Sequence, residues 1–106
     1  MSIVKGEMRR YSNFQLALGR LTNELSVIGN EIRKCRKYDT SKNVYRLAYS
    51  IDDSNVLLNA EEKDFAFKVS LIIDGKDHLK VRKKISDALK KADMENIKAD
   101  CYKPNN

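Results

Sequence analysis

The chain lacks most of the features that identify membrane-bound, secreted and zinc-binding proteins. No apolar run among its 106 residues exceeds three residues, whereas a membrane-spanning helix needs about 20. Residues 1–6 lack the apolar segment of a secretory signal peptide, so we expect a cytoplasmic protein. One histidine and two cysteines without a CxxC spacing exclude a structural zinc site.

Catalytic signatures are equally scarce. The four glycines lie at positions 6, 19, 29 and 75 and form no phosphate-binding loop, which argues against nucleotide hydrolysis. His78 falls in an apolar stripe, where a packed or capping histidine is expected. Cys35 and Cys101 also lie in apolar patterns, and a reducing cytosol keeps thiols unpaired, so we expect two buried free thiols. The sequence therefore predicts a protein that is not an enzyme and needs no cofactor or metal.

Charge is unevenly distributed along the chain, although its total is only +6. Residues 1–42 contain nine Lys/Arg and four Asp/Glu, and residues 75–106 contain nine and five. Residues 43–74 reverse the balance, with three Lys/Arg and six Asp/Glu. This division predicts a surface that attracts polyanions on one side and repels them on another, which favours a binding protein.

Apolar periodicity predicts a long helix near the start of the chain. A capping box at Ser12 and Gln15 is followed by a seven-residue apolar repeat: Phe14, Leu18, Leu21, Leu25, Ile28, Ile32 and Cys35. The pattern predicts a helix over residues 12–37. Such a helix either lies across a sheet in a monomer or packs on a second copy in a homodimer, and the sequence leaves both states open.

The remaining patterns predict strands and a second helix. Alternating apolar residues predict strands over 44–51, 65–73 and 97–101, with a short apolar run at 56–58. A helix with one apolar and one basic face is predicted over 77–93. We expect one α+β domain over residues 1–106, with 1–11 as a basic N-terminal arm and 103–106 as a short tail. Its mostly antiparallel sheet has three to four strands in the order helix-strand-strand-(strand)-helix-strand, and both helices pack on one face.

The basic segments supply the candidate contact residues. Cations at these positions would contact phosphates or an acidic protein surface, and phosphate contacts would make the affinity salt-dependent. A solvated helix face is the alternative explanation for the lysines of residues 77–93. Tyr11 adds an aromatic ring that could stack on a base. The candidates are Arg9, Arg10, Arg33, Lys34, Arg36, Lys37, Lys80, Arg82, Lys83 and Lys84.

Two short features resemble families that act on nucleic acids. Glu61-Glu62-Lys63 is similar to the D/E-x-K half of the PD-(D/E)xK nuclease motif, which implies carboxylates holding a divalent metal beside a lysine. In that family the motif lies in a strand, whereas here we expect it in a loop. The basic second helix resembles the last helix of double-stranded RNA-binding domains, which implies phosphate contacts for its cations, although the first predicted helix is longer than in that family.

The two ends of the chain resemble small phage-encoded inhibitors of type II CRISPR nucleases, the anti-CRISPR proteins. The similar segments are residues 8–13, MRRYSN, and residues 97–103, IKADCYK. The resemblance implies a phage or mobile-element factor that docks on an RNA-guided host nuclease. The sequence as a whole predicts a non-enzymatic protein that binds nucleic acid or a nucleoprotein complex through a basic surface. The inhibitor and the metal-dependent nuclease are the two alternatives.

Overall fold

The computed structural model describes residues 1–33, 36–39 and 41–101, which form a seven-stranded sheet and two helices. The strands lie in the order β2-β4-β5-β6-β1-β7, and the short β3 pairs with β4 along the same edge as β2. Every pair is antiparallel. The strands are β1 (Ser2–Met8), β2 (Asn30–Glu31), β3 (Lys37–Asp39), β4 (Val44–Ile51), β5 (Ser54–Lys63), β6 (Ala66–Asp74) and β7 (Glu95–Cys101).

The two helices, α1 (Phe14–Ile28) and α2 (His78–Lys91), pack on one face of this sheet. α1 begins after Asn13, whose side-chain Oδ1 accepts a hydrogen bond from the Leu16 amide at 2.9 Å. α2 packs over β1, β6 and β7. Within the described residues, neither helix combines the length and the apolar content that crossing a bilayer requires.

One hydrophobic core fills the space between the helices and the sheet. In each long strand every second side chain faces the helices, because successive residues of a strand point to opposite faces. Burial of each large apolar side chain contributes about 1.5–3 kcal/mol, so this core supplies most of the stability. Its largest fully buried members are Tyr49, Phe67, Leu21, Leu25, Ile51, Leu58, Leu71, Ile73, Ile85 and Leu89.

The predicted layout of three to four strands is wrong. Residues 2–8, expected in a basic N-terminal arm, form β1, which lies between β6 and β7. Glu61 to Lys63, expected in a loop, extend β5 to ten residues. Both segments have few apolar residues, so their local pattern is weak, and pairing with neighbouring strands determines their conformation. The predicted tail, 103–106, lies outside the described residues.

The predicted helix over residues 12–37 is also wrong, because α1 ends at Ile28. Gly29 follows in an extended conformation and passes so close to β4 that an added Cβ would collide with Ile51 and lie 2.7 Å from the Ser50 carbonyl oxygen. The chain then forms β2 and β3, so the described residues lack the C-terminal part of the helix through which the homodimer alternative was expected to form. Cys35 lies outside the described residues, and Cys101, expected to be buried, is an exposed thiol.

Two tight turns hold the hairpins that contain β4, β5 and β6. Asp52 and Asp53 connect β4 to β5, and Asp64 and Phe65 connect β5 to β6. All four residues have positive φ, as type I′ turns require. Asn and Asp tolerate this conformation, and the positive-φ residues of the described chain are all Asn or Asp except Phe65. Phe65 has a φ of 60° and is 96% exposed, so no packing compensates its strain.

Gly19 in α1 and Gly29, which follows α1, should respond oppositely to alanine. Gly29→Ala should lower the free energy of unfolding by about 2 kcal/mol, because its methyl group meets β4. Gly19→Ala should raise it by about 0.5–1 kcal/mol, because an added Cβ there has no neighbour within 4 Å and alanine favours a helix. Urea denaturation followed by circular dichroism measures both values. Equal effects would contradict the close approach at Gly29.

The strain at Phe65 can be tested in the same way. Phe65→Gly should raise the free energy of unfolding by about 1 kcal/mol, because glycine adopts positive φ without a steric penalty. Phe65→Ala is the control, since alanine keeps the Cβ that clashes with the backbone and removes only an exposed ring. We expect the alanine variant to be no more stable than the native protein, and stabilisation by both substitutions would rule out backbone strain.

Candidate functional site

The face of the sheet opposite the helices carries an ordered row of cations. Strand pairing places six residues directly opposite one another across β7, β1, β6, β5, β4 and β3. Adjacent strands are about 4.8 Å apart, so the row extends for about 24 Å. We call it the basic row, and its members are Lys98, Lys5, Ser70, Asn59, Arg46 and Lys37.

Strand alternation directs these side chains away from the core. Lys5 lies between the buried Val4 and Gly6, and Asn59 lies between the buried Leu58 and Ala60. The four cations of the basic row are exposed, whereas Ser70 and Asn59 are partly buried in its middle. The row is therefore part of the surface and depends on the register of the whole sheet.

The cations of the basic row occur as two adjacent pairs of like charge. Lys5 lies opposite Lys98 at one end, and Arg46 lies opposite Lys37 at the other. Like charges directly opposite in neighbouring strands destabilise a sheet. The ion pairs recorded in the described part of the chain include none of these four residues. Arg46 Nε donates to the neutral Asn59 Oδ1, at 3.3 Å.

Rows of different chemistry lie on either side of the basic row. Two residues along the strands in one direction lies an apolar row, which is formed by Ile3, Ile72, Leu57 and Ala48. The β7 residue opposite Ile3 is Asp100. A row that contains three acids lies two residues along the strands in the other direction, and we call it the acidic row. Its members are Glu7, Lys68, Glu61, Val44 and Asp39. A groove of about 650 Å³ is lined by residues of both the basic and the apolar row: Lys37, Arg46, Asn59, Ser70, Leu57 and Ile72.

The structure separates the residues that the sequence predicted as one basic surface. Arg9 and Arg10 follow β1, and Arg9 Nη2 lies 3.5 Å from Glu7 Oε2. Arg33 and Arg36 lie between β2 and β3, and Arg36 Nη2 donates to Glu31 Oε1 at 2.6 Å. Lys34 lies outside the described residues. Lys37 is the predicted residue that belongs to the basic row.

The predicted cations of α2 lie on the opposite side of the molecule. Lys80, Arg82, Lys83 and Lys84 belong to the helix layer over β1, β6 and β7, whereas Lys37 projects from the uncovered face at the other edge of the sheet. The prediction of one shared patch is therefore wrong. It assumed that Arg33 to Lys37 end a helix, but Lys37 begins a strand.

The strongest contact of the α2 cations is an ion pair within the protein. Lys84 Nζ donates to Asp52 Oδ2 at 2.5 Å, and this hydrogen bond lowers the pKa of the Asp52 carboxyl. Lys80 lowers the same pKa through its charge. Part of the positive charge of α2 is therefore used to fix the turn between β4 and β5.

Sequence reasoning missed Lys5, Arg46 and Lys98 as members of the site. Arg46 and Lys98 occupy the polar positions of alternating patterns, which showed that they face away from the core. Their alignment with Lys5 depends on the pairing of β1 with both β6 and β7, and no local pattern carries that information.

Tyr11, the ring that could stack on a base, makes contacts within the protein. Its hydroxyl donates to Glu62 Oε2 at 2.5 Å, and its ring centroid lies 6.3 Å from that of the buried Phe67. Burial, together with the hydrogen bond to Glu62, raises the pKa of Tyr11 to about 12. The phenol is therefore a stable hydrogen-bond donor that anchors the chain between β1 and α1.

Neither the nuclease-like residues Glu61 and Lys63 nor His78 shows the geometry of a catalytic site among the described residues. Glu61 and Lys63 lie in β5 and on its uncovered face, but the described residues contain no group of three His, Cys, Asp or Glu side chains that could hold a metal ion. His78 Nδ1 lies 2.6 Å from Ser2 Oγ, and Ser2 is fully buried, so no substrate reaches that hydroxyl. The nuclease alternative gains no support from these positions.

Comparison with known proteins assigns the chain to no family. No protein-family model, no curated protein and no solved structure matches it.

Proposed function

We propose that this is a cytoplasmic, non-enzymatic protein that binds nucleic acid, alone or within a nucleoprotein complex, against the basic row. The observation that carries the proposal is the strand register, which places Lys5 opposite Lys98 and Arg46 opposite Lys37. Like charges in opposite positions lower the stability of the isolated protein, and an anion bound between the cations offsets that cost.

The spacing of the cations favours a polyanion over a small anion. Lys5 and Arg46 are three strand intervals apart, which corresponds to about 14 Å. A single phosphate cannot reach both pairs, whereas a chain of phosphates can follow the row. The partly buried Ser70 and Asn59 lie between the pairs and offer neutral hydrogen-bonding groups to the same backbone.

The lysines of α2 are the alternative surface, and their arrangement favours it less. Asp87 is four residues from both Lys83 and Lys91, the spacing at which opposite charges on a helix support each other. Lys84 is held by Asp52. Asp87 and Asp52 therefore balance part of the charge of α2, which carries six Lys/Arg and one Asp, and this face provides a matched control for the basic row.

Charge removal distinguishes the two surfaces. Lys5→Gln/Arg46→Gln should weaken binding of a labelled 20-nucleotide RNA or DNA about tenfold and reduce the slope of log affinity against log salt by about one to two. Lys80→Gln/Lys83→Gln removes the same charge from α2 and should cause little change. Fluorescence anisotropy at several salt concentrations measures both quantities. A larger loss from the α2 variant, or no binding by the native protein, would contradict the proposal.

A second candidate function is inhibition of an RNA-guided nuclease, as the anti-CRISPR resemblance implies. The observation that favours it is Phe65, an aromatic side chain that is 96% exposed at the tip of the β5–β6 hairpin in a strained backbone conformation. Exposed aromatic anchors that insert into a partner's pocket dominate the energy of many protein interfaces. On this hypothesis the basic row meets RNA and Phe65 meets protein in the same complex.

The inhibitor hypothesis predicts a separation of activities at Phe65. The native protein should block DNA cleavage by a purified type II CRISPR nuclease at near-stoichiometric amounts, and Phe65→Gly should lose this inhibition while its affinity for RNA is unchanged. Because the glycine variant is expected to be the more stable protein, unfolding cannot explain such a loss. Equal inhibition by both proteins, or none by either, would reject this candidate.

A further inference from the structure

The apolar row exposes aliphatic surface immediately beside the basic row. Leu57 is 58% exposed, Ile72 is 39% exposed, and the two residues lie directly opposite each other on β5 and β6. Ile3 continues the row on β1 and is partly buried. Contact with water raises the free energy of large aliphatic side chains on an uncovered sheet face, and contact with an apolar partner lowers it.

The two rows border one concave site. The groove of about 650 Å³ has Lys37 and Arg46 on one side and Leu57 and Ile72 on the other. Residues two apart in a strand are separated by about 6.8 Å, so a ligand in the groove touches cations and aliphatic carbon at once. The ligand must therefore carry negative charge along one side and an apolar surface along the other.

We propose that the ligand is a single strand of nucleic acid, with its phosphates on the basic row and its unpaired bases on Leu57 and Ile72. This inference rests on the proposed function and specifies which form of nucleic acid binds. In a duplex the bases stack on one another and present only their edges in the grooves, so their faces cannot meet the apolar row. In a single strand those faces are open, and aliphatic contacts to them are insensitive to sequence.

The acidic row fixes the direction in which the bases point. Glu7, Glu61 and Asp39 repel phosphates on the side of the basic row away from Leu57, and Lys68 is the one cation among them, so a shift of the backbone in that direction is disfavoured. A strand that lies along the cations therefore gains apolar contact only when its bases turn toward Leu57 and Ile72.

A peptide suits this site less well than a single strand. Extended peptides bind sheets at an unpaired edge, where backbone hydrogen bonds provide the affinity. The groove instead extends from β3 across β4 and β5 to β6, and the backbone groups of β4, β5 and β6 are paired with strands on both sides. Polyglutamate, an acidic peptide, therefore serves as the alternative ligand in the experiment.

A tryptophan reporter tests the base contact directly. The chain contains no tryptophan, so Leu57→Trp introduces one fluorophore into the apolar row. Leu79→Trp is the matched control, because Leu79 is 53% exposed on α2, in the helix layer. Addition of a 20-nucleotide oligothymidylate should quench Leu57→Trp by stacking and leave Leu79→Trp unchanged. A 20-base-pair duplex should quench neither variant.

A second pair of substitutions measures the contribution of the row to affinity. Leu57→Thr/Ile72→Thr keeps residues that favour strands and removes aliphatic surface. It should weaken binding of the labelled oligothymidylate about five- to tenfold, and binding of the duplex by less than twofold. Leu79→Thr should change neither affinity. These affinity measurements do not depend on how the tryptophan variant folds.

The outcomes separate this inference from the proposed function. If the native protein binds neither the oligothymidylate nor the duplex, both fail. If it binds nucleic acid but Leu57→Trp is not quenched, or the double threonine variant binds both forms normally, the single-strand inference alone is overturned. Equal quenching of Leu57→Trp by polyglutamate would also overturn it, because the groove would then be a general anion site.

Discussion

Backbone pairing of β1 with both β6 and β7 is the interaction on which the rest of the structure depends. β1 provides the only strand partner of β7 among the described residues, and it forms part of the surface on which α2 packs. The approach is close, since a Cβ added to Gly6 would lie 3.3 Å from Leu89 Cδ1. The same strand places Lys5 between Lys98 and Ser70, so the pairing that completes the core also assembles the basic row.

The hydrophobic core protects the register of the surface rows. A slip of one residue moves every side chain of a strand to the opposite face. In β5 such a slip would expose the buried Leu58 and direct the polar Asn59 into the core, at a cost of about 1.5–3 kcal/mol for the leucine alone. The apolar, basic and acidic rows therefore keep their order because the other face of the same strands is buried.

Two features with unfavourable local energy lie where the fold can tolerate them. The cation pairs of the basic row each cost on the order of 0.2–1 kcal/mol, and the left-handed conformation of Phe65 costs roughly 1–2 kcal/mol. They occur on the uncovered face and at a hairpin tip, away from the core. By contrast, three of the predicted cations outside this face, Arg9, Arg36 and Lys84, lie within ion-pairing distance of carboxylates.

Local patterns in the sequence determined the elements whose own residues carry the information. Alternation specified the whole of β4, and the apolar face of residues 77–93 located α2, because both patterns repeat within a few residues. The segments of β1, β2 and β3 have too little apolar periodicity to specify strands, so pairing with distant residues decided their conformation, as contact with β4 decided the end of α1 at Gly29.

The candidate site is likewise determined partly by the sequence and partly by the tertiary structure. The sequence indicated a basic protein and supplied Lys37, but only the tertiary structure aligned Lys37 with Arg46, Lys5 and Lys98, because the register between strands depends on contacts among residues far apart in the chain.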